Sequence, residues 1–213
     1  MDDPVEVIDV VAPGPVTAEE AVPASLVRVL PGSAGDPVRA LQNLPGVARA
    51  PLGIGQLIVR GTAPEDTRYA IDGMDVPLVF HFTGLTTVVA ADLLDEVVFT
   101  PGAWSVRYGR NLGGRVELRT TAAMPERSHG AASIDLFQAA AFGVFRLGER
   151  TALTVAARRS YVDAVLTPLL SDEGTAFRAP RYWDGQLRLT HVLPRGGRID
   201  ALVVGSDDRF ATG

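Results

Sequence analysis

Trp183-Asp184-Gly185-Gln186-Leu187-Arg188-Leu189-Thr190-His191-Val192-Leu193 is the stretch on which the fold turns. On an extended chain Trp183, Leu187, Leu189 and Leu193 fall on one side, and Asp184, Gln186, Arg188 and Thr190 on the other. A turn follows at Pro194-Arg195-Gly196-Gly197. Beyond it Ile199, Ala201, Val203 and Gly205 alternate with Asp200 and Ser206, although Leu202 and Val204 blur the pattern. Upstream, a run over residues 131–147 meets a tight Gly148-Glu149-Arg150 turn, a second run over 151–166 returns, and residues 167–180 form a longer loop. Residues 122–213 therefore predict four long antiparallel strands, joined by short, long and short connections. Strands of ~10 residues with one apolar face suit a transmembrane barrel with short turns at one end and long loops at the other. On alternation alone, a soluble sandwich or meander fits equally well.

Composition narrows the classes. All 20 basic residues are Arg, they are scattered, and the net charge is -5, so the basic cluster of a nucleic-acid footprint is missing. The absence of Cys excludes disulfides, thiolate metal sites and cysteine nucleophiles. No apolar run approaches the ~18 residues of a membrane-spanning helix, which leaves β-strands as the route for any membrane role. The 22 Gly and 15 Pro point to many turns, as in β-rich folds.

Residues 26–121 read as a compact α+β unit, a small mixed sheet with short helices. Val27-Arg28-Val29-Leu30 predicts a strand. Asp36-Pro37 fits an N-cap and first helical position, with Val38, Leu41 and Leu44 on one face and Pro45-Gly46 as the stop. Leu57 to Gly61 predicts a strand. Arg68-Tyr69-Ala70-Ile71 and Met74-Asp75-Val76 flank Asp72-Gly73, a strong hairpin signal because both residues tolerate positive φ. A helical turn is expected at Asp92-Leu93-Leu94-Asp95, then strands at Glu96–Thr100 and Arg115–Thr120. Gly113-Gly114 reads as a tight turn. So does Gly53-Ile54-Gly55, since neither pair matches a phosphate-binding loop. Residues 1–25, rich in Val, Pro and acids, predict a flexible arm carrying one β-prone run at 5–11. Met1-Asp2-Asp3-Pro4 has neither a basic n-region nor an apolar h-region. With four strands too few to close a barrel, the chain is expected to be a fragment of a longer protein.

Several motifs in order resemble the plug domain of TonB-dependent outer-membrane receptors. They are Leu44-Pro45-Gly46-Val47, Ile58-Val59-Arg60-Gly61, Tyr69 through Asp72-Gly73 to Pro77, Glu96 through Pro101-Gly102, Arg107-Tyr108-Gly109, and Gly113-Gly114 to Leu118. Residues 122–213 resemble the family's first barrel strands. The resemblance implies a plug that occludes an outer-membrane barrel, a small-molecule ligand such as a siderophore bound from outside, and import driven through TonB. It implies neither a cofactor nor an enzyme activity. The other reading is a soluble plug-like module that binds ligand or signals through TonB without transport.

The resemblance also assigns candidate residues. Glu6, Val7, Ile8, Asp9 and Val10 look like its TonB box, an extended segment that can add a strand to a partner's sheet edge. Phe80, His81 and Phe82, after Pro77, are placed in a plug loop as candidate ligand contacts, or else as packed loop residues. Arg60, Arg68, Arg107, Arg110, Arg115 and Arg119 are expected to pair with inward acids of the barrel, or to form a solvated face. Tyr161 and Trp183 are expected near an aromatic girdle. Asp72 and Asp75 are read as hairpin and edge residues rather than paired catalytic carboxylates. His129 and His191 stand alone, so no metal site is expected.

Overall fold

The computed structural model describes residues 19–27, 29–50, 56–82, 84–109, 111–135, 138–161, 163–164 and 181–209. β1 (Glu20–Pro23) leads into a single helical turn, α1 (Ala24–Val27). The sheet thus begins within the arm assigned to residues 1–25, and Val27, expected to open a strand, ends a helical turn instead. The physical reason is local: Leu30 N–H donates to the Leu26 carbonyl, and the Ser33 hydroxyl lies 2.8 Å from the carbonyls of both Val27 and Leu30. α2 (Pro37–Ala40) starts as expected, with Asp36 accepting from the Val38 and Arg39 N–H groups, and Val38 and Leu41 fully buried.

β2 (Val47–Arg49) pairs with β3 (Leu57–Val59), and the turn after β3 puts Arg60 and Gly61 at φ 51° and 81°. β4 (Arg68–Ile71) and β5 (Met74–Val76) form the expected hairpin, with Asp72 and Gly73 at φ 47° and 83°. Two short strands follow, β6 (Phe80–His81) and β7 (Thr86–Thr87), paired with each other. β8 (Leu94–Thr100) and β9 (Arg115–Thr120) complete a five-stranded mixed sheet in the order β1, β8, β9, β4, β5. β9 runs parallel to β4.

Gly113-Gly114 is not a tight turn; neither residue takes positive φ. The pair is there for close approach. A Cβ on Gly113 would sit 2.8 Å from Thr62 Oγ1 and 3.0 Å from the Asp66 carbonyl carbon, and one on Gly114 would meet Val59 and Phe99 at 3.0 Å. This lets Gly114 C=O accept from Arg68 N–H at 2.9 Å, which starts the parallel ladder. Val27, Val38, Leu41, Leu57, Val59, Leu93, Val97, Phe99, Val116 and Leu118 fill the core of this unit.

Residues beyond 128 form a second sheet of five antiparallel strands in sequence order: β10 (His129–Ile134), β11 (Gln138–Arg146), β12 (Thr151–Ser160), β13 (Arg181–Val192) and β14 (Arg198–Arg209). Five replaces the expected four because the run 131–147 is two strands. Asp135 and Gln138 close a hairpin there, Asp135 N–H donating to the Gln138 carbonyl and Gln138 N–H to the Asp135 carboxylate. Leu136 and Phe137 between them carry none of the Gly, Pro or Asn chemistry that marks a turn in sequence. The short turns at 148–150 and 194–197 therefore share one end of the sheet, and the β10–β11 hairpin shares the other with the end of β12 and the start of β13.

Candidate functional site: the contact between the two sheets

The second sheet is inside-out relative to a water-soluble layer. On β13, Asp184, Gln186 and Arg188 face the first unit at 1%, 2% and 4% exposure, while Trp183, Leu187 and Leu189 face outward at 49%, 44% and 39%. Phe145 on β11 and Ile199 and Val203 on β14 continue the exposed apolar face. Leu202 and Val204, which blur the alternation of β14, face inward and pack against the core of the first unit.

One polar cluster docks the β6–β7 segment. Asp36 braces it: besides capping α2, its carboxylate accepts from Thr87 N–H at 2.5 Å and from the Thr86 and Thr87 hydroxyls at 3.0 and 2.8 Å. His81, fully buried, then lies between two carboxylates of the second sheet, with Nδ1 2.5 Å from Asp208 and Nε2 3.0 Å from Asp184. Tyr182 stacks on the imidazole at 4.2 Å between centroids. Phe82, at φ 45°, donates its N–H to Asp208 at 3.0 Å. Arg158 donates to Asp184 at 2.7 Å and reaches across to Thr86 Oγ1 and the Thr87 carbonyl. Gln186 donates to the Val88 carbonyl at 2.7 Å.

A second cluster lies toward the short-turn end. The Asp72 carboxylate accepts from Thr120 N–H and Oγ1 at 2.8 and 2.6 Å, and from Arg188 at 2.7 Å. Arg188 also meets Asp200 at 3.1 Å and the Thr120 hydroxyl. Both clusters are built from charged hydrogen bonds, beside the apolar contact that Leu202 and Val204 make with the first unit. Such an interface can exchange its partners for water when it separates, which a hydrophobic one cannot do cheaply.

Among the described residues, no ion pair joins an arginine of the first unit to an acid of the second sheet. The arginines that join the two sheets are Arg158 and Arg188, on the second sheet; they reach Thr86, Thr87, Asp72 and Thr120 of the first unit while also pairing with Asp184 and Asp200 of their own sheet. Arg115 instead pairs with Asp75 at 2.8 Å, with Tyr108 lying 4.0 Å from its guanidinium, and Arg119 pairs with Glu96 at 2.6 Å, all within the first unit. The Glu96 bond raises the Arg119 pKa further. Phe80 is a core residue packed edge-on against Tyr69, whose hydroxyl is pushed above its ordinary range by burial. Phe80 and His81 thus face protein, not an open pocket. Arg60 lies over Gly102, and Pro101 and Gly109 belong to the same connection between β8 and β9. Trp183 faces outward near the end of the sheet away from the short turns, whereas Tyr161 bonds the Asp135 carbonyl. Glu6 to Val10, Gly53 to Gly55 and Arg110 lie outside the described residues. Asp184, Asp208, Arg158 and the bracing role of Asp36 carried no motif in the sequence.

A small mixed α+β sheet seated on the polar face of antiparallel strands, whose other face is apolar, defines a plug-and-barrel-wall protein. Residues 12–115 match the model of the TonB-dependent Receptor Plug Domain, and this segment belongs to that family. No curated protein matches the chain by sequence. Among solved structures, a mutant of the ferric enterobactin receptor PfeA from Pseudomonas aeruginosa is 18% identical with a TM-score of 0.61, over 89% of this chain and 32% of that one. The outer membrane transporter YddB from Escherichia coli is 14% identical with a TM-score of 0.63, over 93% and 34%. The siderophore receptor PirA from Pseudomonas aeruginosa is 17% identical with a TM-score of 0.61, over 89% and 34%. The chain thus spans about a third of the length of these receptors and shares their fold.

Proposed function

We propose that this chain is the plug and opening barrel wall of a TonB-dependent importer in the bacterial outer membrane, a transporter and not an enzyme. The observation that carries the reading is the inverted second sheet, polar where it meets the plug and apolar where it faces out. In water that arrangement would leave an apolar face exposed, whereas in a bilayer the apolar face contacts lipid and the polar contacts remain with the plug. The plug begins at β1, occludes the barrel and is held by the His81 and Asp72 clusters. TonB engages Glu6–Val10 on the periplasmic side and draws on the inner-membrane proton gradient to loosen those clusters. Ferric siderophores are the ligand class to test first, since PfeA and PirA are receptors for such ligands by name.

The test is uptake of labelled ferric siderophores by cells carrying the complete receptor. Ile8→Pro removes a backbone donor from the segment that would pair with TonB. Uptake is expected to fall to background while ligand binding to whole cells is retained. Uptake equal to the parent's would overturn the assignment of this segment.

A further inference from the structure

The plug-facing side of β14 changes character along its length. Asp200 meets Arg188 in the Asp72 cluster, and Asp208 meets His81. Between them Leu202 and Val204 pack against the core of the plug. In the ladder they lie opposite Arg188 and Gln186 of β13, so the inward side chains turn from polar to aliphatic from one strand to the next. On the plug side Ile71, Met74 and Val76, all in the β4–β5 hairpin, line one cleft with Leu202 and Val204, of about 300 Å³. Ser206, opposite Asp184, marks the end of that cleft toward the His81 cluster. The hairpin is therefore held at its tip by Asp72 and along its flank by aliphatic contact, whereas β6–β7 is held by hydrogen bonds to charged side chains.

We propose that the β4–β5 hairpin is the fixed point of the plug, staying on β14 while β1 and the β6–β7 segment come away from their contacts. The two kinds of contact respond differently to tension. A polar group that leaves its partner is taken up by water, so the net cost of parting is modest. An aliphatic side chain that leaves its partner meets water that offers nothing in exchange. The order of the plug sheet puts β1 and β5 at opposite edges. Tension on Glu6–Val10 enters the plug at β1, the edge farthest from the aliphatic seam.

The fixed point rests on the import mechanism proposed above, and the two fail differently. The complete receptor, reconstituted in phosphatidylcholine vesicles, is followed by hydrogen exchange in rising urea, with neither ligand nor TonB present. Amides of β4 and β5 are expected to stay protected at urea concentrations that open β1 and Phe80–Thr87. In L202S/V204S, exchange over β4–β5 is expected to rise roughly tenfold while β12 and β13 keep their protection. Val76→Ser, on the plug side, is expected to act in the same direction, and it carries the test if serines in the wall prevent insertion. Opening of the hairpin together with β6–β7 in the parent, or unchanged β4–β5 exchange in the variants, would overturn the fixed point. Transport is tested with two cysteine pairs, each bridged by a short bis-maleimide and compared with the same receptor left unbridged. Cells carrying Val76→Cys/Val204→Cys are expected to import labelled ferric siderophore equally well in both forms. Bridging Thr87→Cys/Arg158→Cys is expected to bring uptake to background. Loss of uptake on bridging the seam would overturn the fixed point. A parent receptor that imports no ferric siderophore would count against the import reading instead, and the exchange result would still decide the anchor.

Discussion

At the scale of single residues, the informative side chains are those whose neighbours come from far along the chain. Asp72 is legible in sequence as a turn residue, and it is one, yet its carboxylate also holds Thr120 and Arg188, the latter 116 positions away. Arg188→Met would remove the cation while leaving Asp72 and Asp200 half-enclosed beside it. A loss of about 3 kcal/mol in plug docking is expected, since stripping one partner from a buried pair strands the other charge. Denaturant-dependent release of the plug, followed by protease sensitivity of the Asp72 hairpin, measures it. Gly113→Ala tests a different mechanism. Its Cβ would press on Thr62 and on the backbone of Asp66, so the plug should lose roughly 1–3 kcal/mol through forced shifts. An unchanged melting temperature would refute the close-approach account. The glycine pair was visible in sequence, but whether it served a turn or a contact depended on what stood opposite.

At the scale of elements, the β6–β7 segment shows how a short piece of chain gains a fixed position. Its two-residue strands could not hold their geometry alone, because so few ladder bonds do not offset the entropy of ordering them. Asp36 ties the segment to α2, and Asp184, Asp208 and Arg158 hold it from the other side. Asp184→Ala would leave His81 and Arg158 without their shared carboxylate. Backbone hydrogen exchange over Phe80–Thr87 is expected to rise about 100-fold while β8 and β9 keep their protection. A uniform rise across the plug would mean that the contact supports the whole domain and does not act as a local clasp. The hairpin at 135–138 was hidden for a related reason. Its turn is closed by the Asp135 carboxylate, and the residues between carry no turn chemistry, so only strand pairing reveals it.

At the scale of the whole molecule, the decisive property is the sidedness of the second sheet. Leu187→Arg places a charge in the outward apolar band. It should lower the stability of the inserted barrel by about 2–4 kcal/mol if that face lies near the bilayer midplane. In a water-soluble sheet the same substitution would be neutral or would improve solubility. Urea titration of the folded receptor in lipid vesicles separates these outcomes. The two docking clusters lie on the opposite face, and Leu187→Arg should leave them intact.

The amino-acid sequence by itself determined the α+β core, the Asp72-Gly73 hairpin, the Asp36 cap and the alternating faces of the strands. These features depend on residues near one another in the chain, where backbone preferences and periodicity act directly. Only the tertiary structure decided which face of the second sheet meets the plug, that its arginines reach toward plug acids and carbonyls, and that His81 lies between Asp184 and Asp208. Those contacts span about a hundred residues, and a polar side chain's own sequence neighbourhood carries no record of the distant partner that satisfies it.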